Sequence, residues 1–296
     1  MATVGVIGLG DMGSGLAKNL LQAGYKVTGL DLSEKRMSDF TEMGGIAAGH
    51  PAQVAQDADA VFVMVMNGDQ VKEVLFGKNG ACESLKPDAA IILTATIKPH
   101  EAAEIGNRMA EHNLQLIDSP VSGGFPGAQN GTLTMMAAAP EALLAAKQDI
   151  MQAVSANIHH VGAEAGQGQM MKACLQSLIG SIFAATFEAS TLAAKAGISG
   201  QVLFDVFSTS GAGCGVSNSA LENIIDRKFY GTGSHIATMH KDLTISLDFA
   251  EQLGVPLHTA ATAMQLFHAG KSKYPDGDNW VVTRVLEDII GAELHR

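Results

Sequence analysis

The sequence predicts an α/β domain on a parallel, doubly wound sheet, followed by an all-α domain on a long connecting helix. Three observations carry that prediction. Short apolar runs alternate with helical stretches through the first half, and a glycine-rich turn joins the first run to the first helical stretch. Beyond about Gly162, apolar residues recur only at helical spacing. The chain has 296 residues, and at roughly 150 residues per domain that length suits two. The change of texture puts the boundary near residue 164, giving domains over 1–164 and 165–296.

The elements follow in order. Thr3–Ile7 reads as a buried parallel strand, because a strand covered on both faces is apolar throughout. Residues 12–23 place Leu16, Asn19, Leu20 and Ala23 at three- and four-residue spacing, and Gly24 then stops the helix. A second strand over 25–30 ends at Asp31, and further strands are expected over 60–66, 90–93 and 114–118. Helical stretches separate them, as in repeated βαβ units. Residues 167–196 form a long proline-free helical pattern. It carries apolar residues at Met170, Met171, Leu175, Leu178, Ile179, Ile182, Phe183, Phe187 and Leu192. That exceeds one stripe, so burial on most sides is expected. More helices are expected over 202–207, 219–226, 242–253, 259–269 and 281–294, with a glycine-rich loop over 208–217.

Composition narrows the function. Nineteen Lys+Arg against 30 Asp+Glu give a net charge of −11, which argues against a nucleic-acid partner, since a phosphate reader needs a basic face. No apolar stretch is expected to approach the roughly 18 residues that span a bilayer, so no membrane partner is expected. Met1-Ala2-Thr3 leads straight into the first strand without a basic leader. Cys82, Cys174 and Cys214 lie far apart and odd in number, which suits reduced thiols and a cytoplasmic location. No metal is expected: His159-His160 reads as a strand end without a third ligand, and His235 and His240 do not share a helix face. The methionines at 64, 66, 135, 136, 170 and 171 read as core filler.

Gly8-Leu9-Gly10-Asp11-Met12-Gly13 lies between the first strand and the first helix. Gly8 permits the tight turn, Gly10 lets the backbone approach a pyrophosphate, and Gly13 allows close helix–strand packing. The helix N-terminus then offers N–H groups to the anion. Asp31 closes the second strand where an acid accepts hydrogen bonds from an adenosine ribose. Such a carboxylate repels a 2′-phosphate and favours NAD over NADP, with Lys35 and Arg36 nearby pulling the other way. The first domain therefore reads as a Rossmann domain.

Residues 118–133 read Asp118-Ser119-Pro120-Val121-Ser122-Gly123-Gly124-Phe125-Pro126-Gly127-Ala128-Gln129-Asn130-Gly131-Thr132-Leu133. With Gly166-Gln167-Gly168, Lys172 and Lys241-Asp242-Leu243, this resembles the signature of the β-hydroxyacid dehydrogenases, the family of 3-hydroxyisobutyrate dehydrogenase and tartronate semialdehyde reductase. The motifs fall in the expected order over nearly the whole chain. The resemblance implies reversible NAD(P)-dependent oxidation of a small 3-hydroxy acid and assembly as a homodimer or homotetramer. It assigns carboxylate binding to Ser122, Gly123 and Gly124, where a hydroxyl and glycine N–H groups suit an anion.

Lys172 matches the family's catalytic lysine. On a helix expected to be buried, desolvation disfavours its ammonium form and suits it to carry the hydroxyl proton. Gln176 lies four residues on, on the same helix face, and is expected to meet substrate. The resemblance places Lys241 near the nicotinamide, Thr96 on the nicotinamide side, and Met66 and Asn67 in the loop over the cofactor. Asp242 takes a structural role, and Trp280 lies near a segment that relatives bring to a neighbouring subunit's active site.

Departures sharpen the reading. Many members carry a pair of asparagines after the lysine, where this chain has Leu175-Gln176, and glutamine also occurs on the threonate dehydrogenase side of the family. The leading expectation is an NAD-dependent dehydrogenase of a small hydrophilic 3-hydroxy acid, threonate-like. The alternatives are an NADPH-dependent short-chain aldehyde reductase of the glyoxylate or succinic semialdehyde type, and a non-catalytic NAD-binding regulatory subunit. Asp31-Leu32 counts against the first alternative; Lys172 with Ser122-Gly123-Gly124 counts against the second.

Overall fold

The computed structural model describes residues 2–296, in two compact units that meet in sequence at Lys172 and Ala173. The first unit is built on one sheet. Its strands are β1 (Thr3–Ile7), β2 (Lys26–Leu30), β3 (Ile46–Ala47), β4 (Ala60–Val63), β5 (Ala90–Leu93), β6 (Gln115–Asp118), β7 (Val121–Ser122), β8 (Leu133–Ala138) and β9 (Ser155–Gly162). The spatial order is β3-β2-β1-β4-β5-β6-β8-β7, with β9 on β8. The six strands β1 to β6 are parallel, in the doubly wound order 3-2-1-4-5-6. β8 runs antiparallel to β6 and β7, and β9 runs parallel to β8.

The helices of this unit are α1 (Asp11–Gln22), α2 (Glu34–Glu42), α3 (Pro51–Ala55), α4 (Gly68–Phe76), α5 (Pro99–Glu111), α6 (Gly124–Asn130) and α7 (Glu141–Gln152). Side chains alternate across the sheet into two cores. Val4, Val6, Phe62 and Ile92 pack with Leu16 and Leu20 of α1 and with Ile150 and Met151 of α7. Ile7, Val61, Val63, Ile91 and Leu93 pack with Val54 of α3, Val71 and Leu75 of α4, and Ile105 and Met109 of α5. This double cover explains why the parallel strands carry no polar face. Local chemistry sets the helix starts: the side chains of Ser33 and Asn67 accept from the third-residue amides of α2 and α4, and Pro99 opens α5.

The second unit is helical. α8 (Gln167–Lys195) begins in the first unit and continues into it, followed by α9 (Gly200–Thr209), α10 (Gly215–Ile225), α11 (Ile236–Leu253), α12 (His258–Lys273) and α13 (Val281–Ile290). Its core centres on Phe183, Phe187, Phe267 and Trp280. Phe183 stacks on Phe187 at 5.9 Å and meets the Trp280 ring edge-on at 5.5 Å.

The corrections concern α8, the methionines and the 208–217 loop. α8 is covered on most sides but keeps one open stripe, on which Met170, Met171, Leu178 and Leu192 are exposed, so part of its apolar surplus lies outside the core. Met66 is likewise exposed, and Met66, Met170 and Met171 are therefore not core filler. α8 is also long and apolar enough to cross a membrane by length and composition. Polar residues are scattered along it, and Gln176, Thr186, Ser190 and Thr191 among them are buried. The loop expected over 208–217 shrinks, because α9 extends through Thr209 and α10 starts at Gly215, with Cys214 and Ser217 exchanging cap hydrogen bonds. Trp280 packs in the helical core, 3% exposed, and donates its Nε1–H to Thr232 Oγ1 at 3.0 Å.

Candidate active site

The C-terminal ends of the parallel strands gather the chemistry of the first unit, as expected at the switch point of such a sheet. At the end of β1, Gly8 adopts φ +91° and donates its N–H to Leu30 O at 2.8 Å. A Cβ at Gly8 would strike the Met64 carbonyl, and one at Gly13 would strike the Gly8 carbonyl. Gly10 differs: a Cβ there would meet only the Arg36 guanidinium, at 3.8 Å or beyond. Gly10 caps α1 without a side chain over the first-turn N–H groups, so a pyrophosphate fits against that turn. Asp11 opens the helix, and Met12 packs on the core beneath it.

Asp31 is held in place. Its Oδ2 accepts from Leu9 N–H at 2.8 Å and its Oδ1 from Ser33 N–H at 2.9 Å, with Arg36 Nη1 at 3.6 Å. Each oxygen retains a lone pair for a ribose hydroxyl. The Leu9 bond ties the acid to the glycine turn, so the two expected cofactor features form one construction.

Met66 and Asn67 follow β4. Asn67 Oδ1 accepts from Gln70 N–H at 2.9 Å and Met66 N–H donates to Gln70 Oε1 at 2.9 Å, so the Asn67 side chain serves as the cap of α4. Thr96 follows β5 between buried Ala95 and Ile97. After β6, Ser122 ends β7, and Gly123 and Gly124 turn with φ of +129° and +58°. Those angles lie where a side chain is strained, so the turn keeps its backbone N–H groups uncovered by side chains.

Lys172 lies beside that turn. The side chain is 6% exposed, and Nζ donates to Val121 O at 2.8 Å, one residue before Ser122. Sequence reading did not single out what steers this stretch of helix. Asp118 at the end of β6 is fully buried, and its Oδ2 accepts from Gly166 N–H at 2.8 Å and Gln169 N–H at 3.3 Å. Its Oδ1 accepts from Gln169 Nε2 at 2.8 Å. Burial pushes the Asp118 carboxyl up to about 6, against the pull of the Gln169 side chain and the backbone N–H groups of Gly166, Gln169 and Gly168. Asp118 lies 48 residues before Gly166, so no local pattern announced the pairing.

In the helical unit, Gln176 is 6% exposed and donates Nε2–H to Asp242 Oδ2 at 2.5 Å. Lys241 Nζ stands 3.0 Å from Asp242 Oδ1. Asp242 thus engages both expected residues at once. Among the described residues no cluster of three or more metal-ligating side chains occurs.

A glycine turn at the head of a doubly wound sheet, tied to the acid that closes β2, defines the class as a Rossmann-fold dinucleotide-binding protein. Residues 3–162 match the NAD-binding domain of 6-phosphogluconate dehydrogenase. Residues 166–286 match the family described as the NAD-binding domain of NADP-dependent 3-hydroxyisobutyrate dehydrogenase. L-threonate dehydrogenase of Cupriavidus necator is 35% identical over 89% of this chain and 89% of its own. The L-threonate dehydrogenase of Escherichia coli K12 is 34% identical over 97% and 95%. A crystal structure of 3-hydroxyisobutyrate dehydrogenase from Salmonella typhimurium superposes with a TM-score of 0.89 at 31% identity, over 96% of this chain and all of that one. The chain belongs to the 3-hydroxyisobutyrate dehydrogenase-like family of NAD(P)-dependent hydroxyacid dehydrogenases.

Proposed function

We propose that this protein is an NAD-dependent dehydrogenase of a small hydrophilic 3-hydroxy acid of the threonate type, with Lys172 as general acid/base. The observation that carries the reading is the Lys172–Val121 hydrogen bond of 2.8 Å, which sets a buried amine beside the Ser122-Gly123-Gly124 turn. The likeness to two L-threonate dehydrogenases supports the substrate class.

The Ser122 hydroxyl and the N–H groups of Gly123 and Gly124 bind the carboxylate, and Gln176 adds an amide toward the hydroxyl groups. Gly8, Gly10, Asp11, Met12, Gly13 and Asp31 hold the adenosine and pyrophosphate parts of NAD; Met66, Asn67, Thr96 and Lys241 serve its nicotinamide end. Bound NAD supplies a two-electron acceptor for the hydride. During oxidation the neutral Lys172 Nζ takes the hydroxyl proton while the C–H hydride leaves, and the carbinol becomes a carbonyl. In reduction Lys172 returns that proton.

The Asp31 carboxylate favours NAD because it repels a 2′-phosphate. The observation favouring the second reading, an NADPH-dependent aldehyde reductase, is Arg36 at 3.6 Å from Asp31. We read the assembly as a homodimer or homotetramer, supported by the exposed Leu178, Leu192, Val202, Val206 and Ile289 of the helical unit. The same reading has the enzyme working in the cytoplasm on a small molecule, without nucleic-acid or membrane partners.

The test follows nicotinamide reduction with L-threonate, D-glycerate, 3-hydroxyisobutyrate and 3-hydroxypropionate, each with NAD and NADP. Turnover of one short hydroxy acid with NAD preferred is expected. NADH binding without turnover of any substrate favours the regulatory reading, and preference for NADP favours the reductase.

A further inference from the structure

Gln169 stands out among the buried polar residues of the first unit. It is 1% exposed, and its side-chain amide makes three hydrogen bonds, all to groups outside its own helix. Its Oε1 accepts from Ile97 N–H at 3.1 Å, and its Nε2 donates to Ala95 O at 3.1 Å. The same Nε2 donates to Asp118 Oδ1 at 2.8 Å. Ala95 and Ile97 flank Thr96, so one planar amide grips the backbone on both sides of that residue, as a neighbouring strand would. Lys172 lies three residues on, one turn along α8, on the neighbouring face position.

We propose that Gln169 is a positioning residue that ties Thr96 to Lys172, so that the nicotinamide side of the site and the proton carrier are held in one register. The inference rests on the proposed roles of Thr96 and Lys172 and adds the device that fixes their separation. Apolar packing alone resists sliding poorly. Three buried hydrogen bonds to one rigid amide specify a single arrangement, because any shift leaves a buried donor or acceptor unpaired. Asp118 completes the device. It receives the Gly166 N–H just ahead of α8 and the Gln169 N–H in its first turn, together with the Gln169 side chain, so the helix start and the Thr96 segment share an anchor.

The experiment compares wild type with Gln169→Met, which keeps the length and removes the hydrogen bonds. Gln169→Glu keeps the Oε acceptor for Ile97 and serves if the first variant does not fold. A fall of kcat by about tenfold or more is expected, with KM and NADH affinity within about twofold, since small misplacements of reacting groups act on the chemical step. A larger primary isotope effect with C-deuterated substrate should accompany it, together with faster hydrogen exchange at the Ile97 amide. Unchanged kcat and isotope effect per folded enzyme, in a variant that only melts earlier, would overturn the proposal. If wild type itself turns over no substrate, the proposed function fails separately. Hydrogen exchange then decides alone: an Ile97 amide as protected in Gln169→Met as in wild type overturns the tie.

Discussion

The glycine turn at β1 and the Asp118–Gln169–Lys172 cluster at the start of α8 sit at the ends of the same sheet and are made in opposite ways. The turn is built from backbone. Gly8, Gly10 and Gly13 act through absent side chains, and Asp31, the one acid involved, reaches across 22 residues to Leu9 N–H. The cluster is built from side chains. It joins residues 51 positions apart, Lys172 to Val121 and Gln169 to Asp118, and each group is buried. Backbone sites tolerate substitution only by steric fit, whereas side-chain sites also depend on the chemistry of every partner.

That difference can be broken most severely in the turn. Gly13→Ala drives a Cβ into the Gly8 carbonyl, backbone against backbone. It should destabilise the first unit by about 3 kcal/mol, the upper range for overpacking, and abolish NADH binding. Denaturant unfolding and NADH fluorescence check both. Normal binding and stability would show that the turn has slack it is not expected to have.

In the cluster, the lever is charge. The Asp118 carboxyl is raised from 3.8 to about 6 by burial, so the folded state binds a proton that the unfolded chain releases. Its contribution to stability is fully present below pH 4 and is lost as the pH rises through about 6. At 1.36 kcal/mol per pH unit, the loss is up to about 3 kcal/mol. Unfolding free energies from pH 4 to 7 should therefore fall less steeply in Asp118→Asn than in wild type. Parallel curves would show that the carboxyl does not titrate in this window.

The smallest effect concerns the ribose. Asp31→Asn should shift the ratio of NAD to NADP efficiency by about tenfold toward NADP, the size of one hydrogen bond to a charged group. The ratio from initial rates decides it, and no change would remove Asp31 from cofactor choice.

The same contrast explains what was legible. The strand, glycine turn and helix lie within Thr3–Gln22, so local pattern sufficed for them. The parallel strands showed as apolar runs, but β3 has two residues and left no pattern to read. Lys172 and the Ser122 turn were recognisable from a family motif, and burial of the lysine's helix was expected, while the partner Val121 needed three dimensions. Gln169 carries no local signal, since a helical glutamine is ordinarily solvated. Gln176 was read as a substrate contact, yet its amide also binds Asp242, a pairing across 66 residues that spacing does not reveal.

The central claim is that Lys172 moves the hydroxyl proton. Its most direct test compares wild type with Lys172→Ala on the best hydroxy acid, with NADH affinity measured on the same samples. The account predicts a fall in kcat of at least about a hundredfold with NADH binding unchanged, the size expected of lost general acid–base catalysis. Turnover that survives undiminished in Lys172→Ala would contradict it.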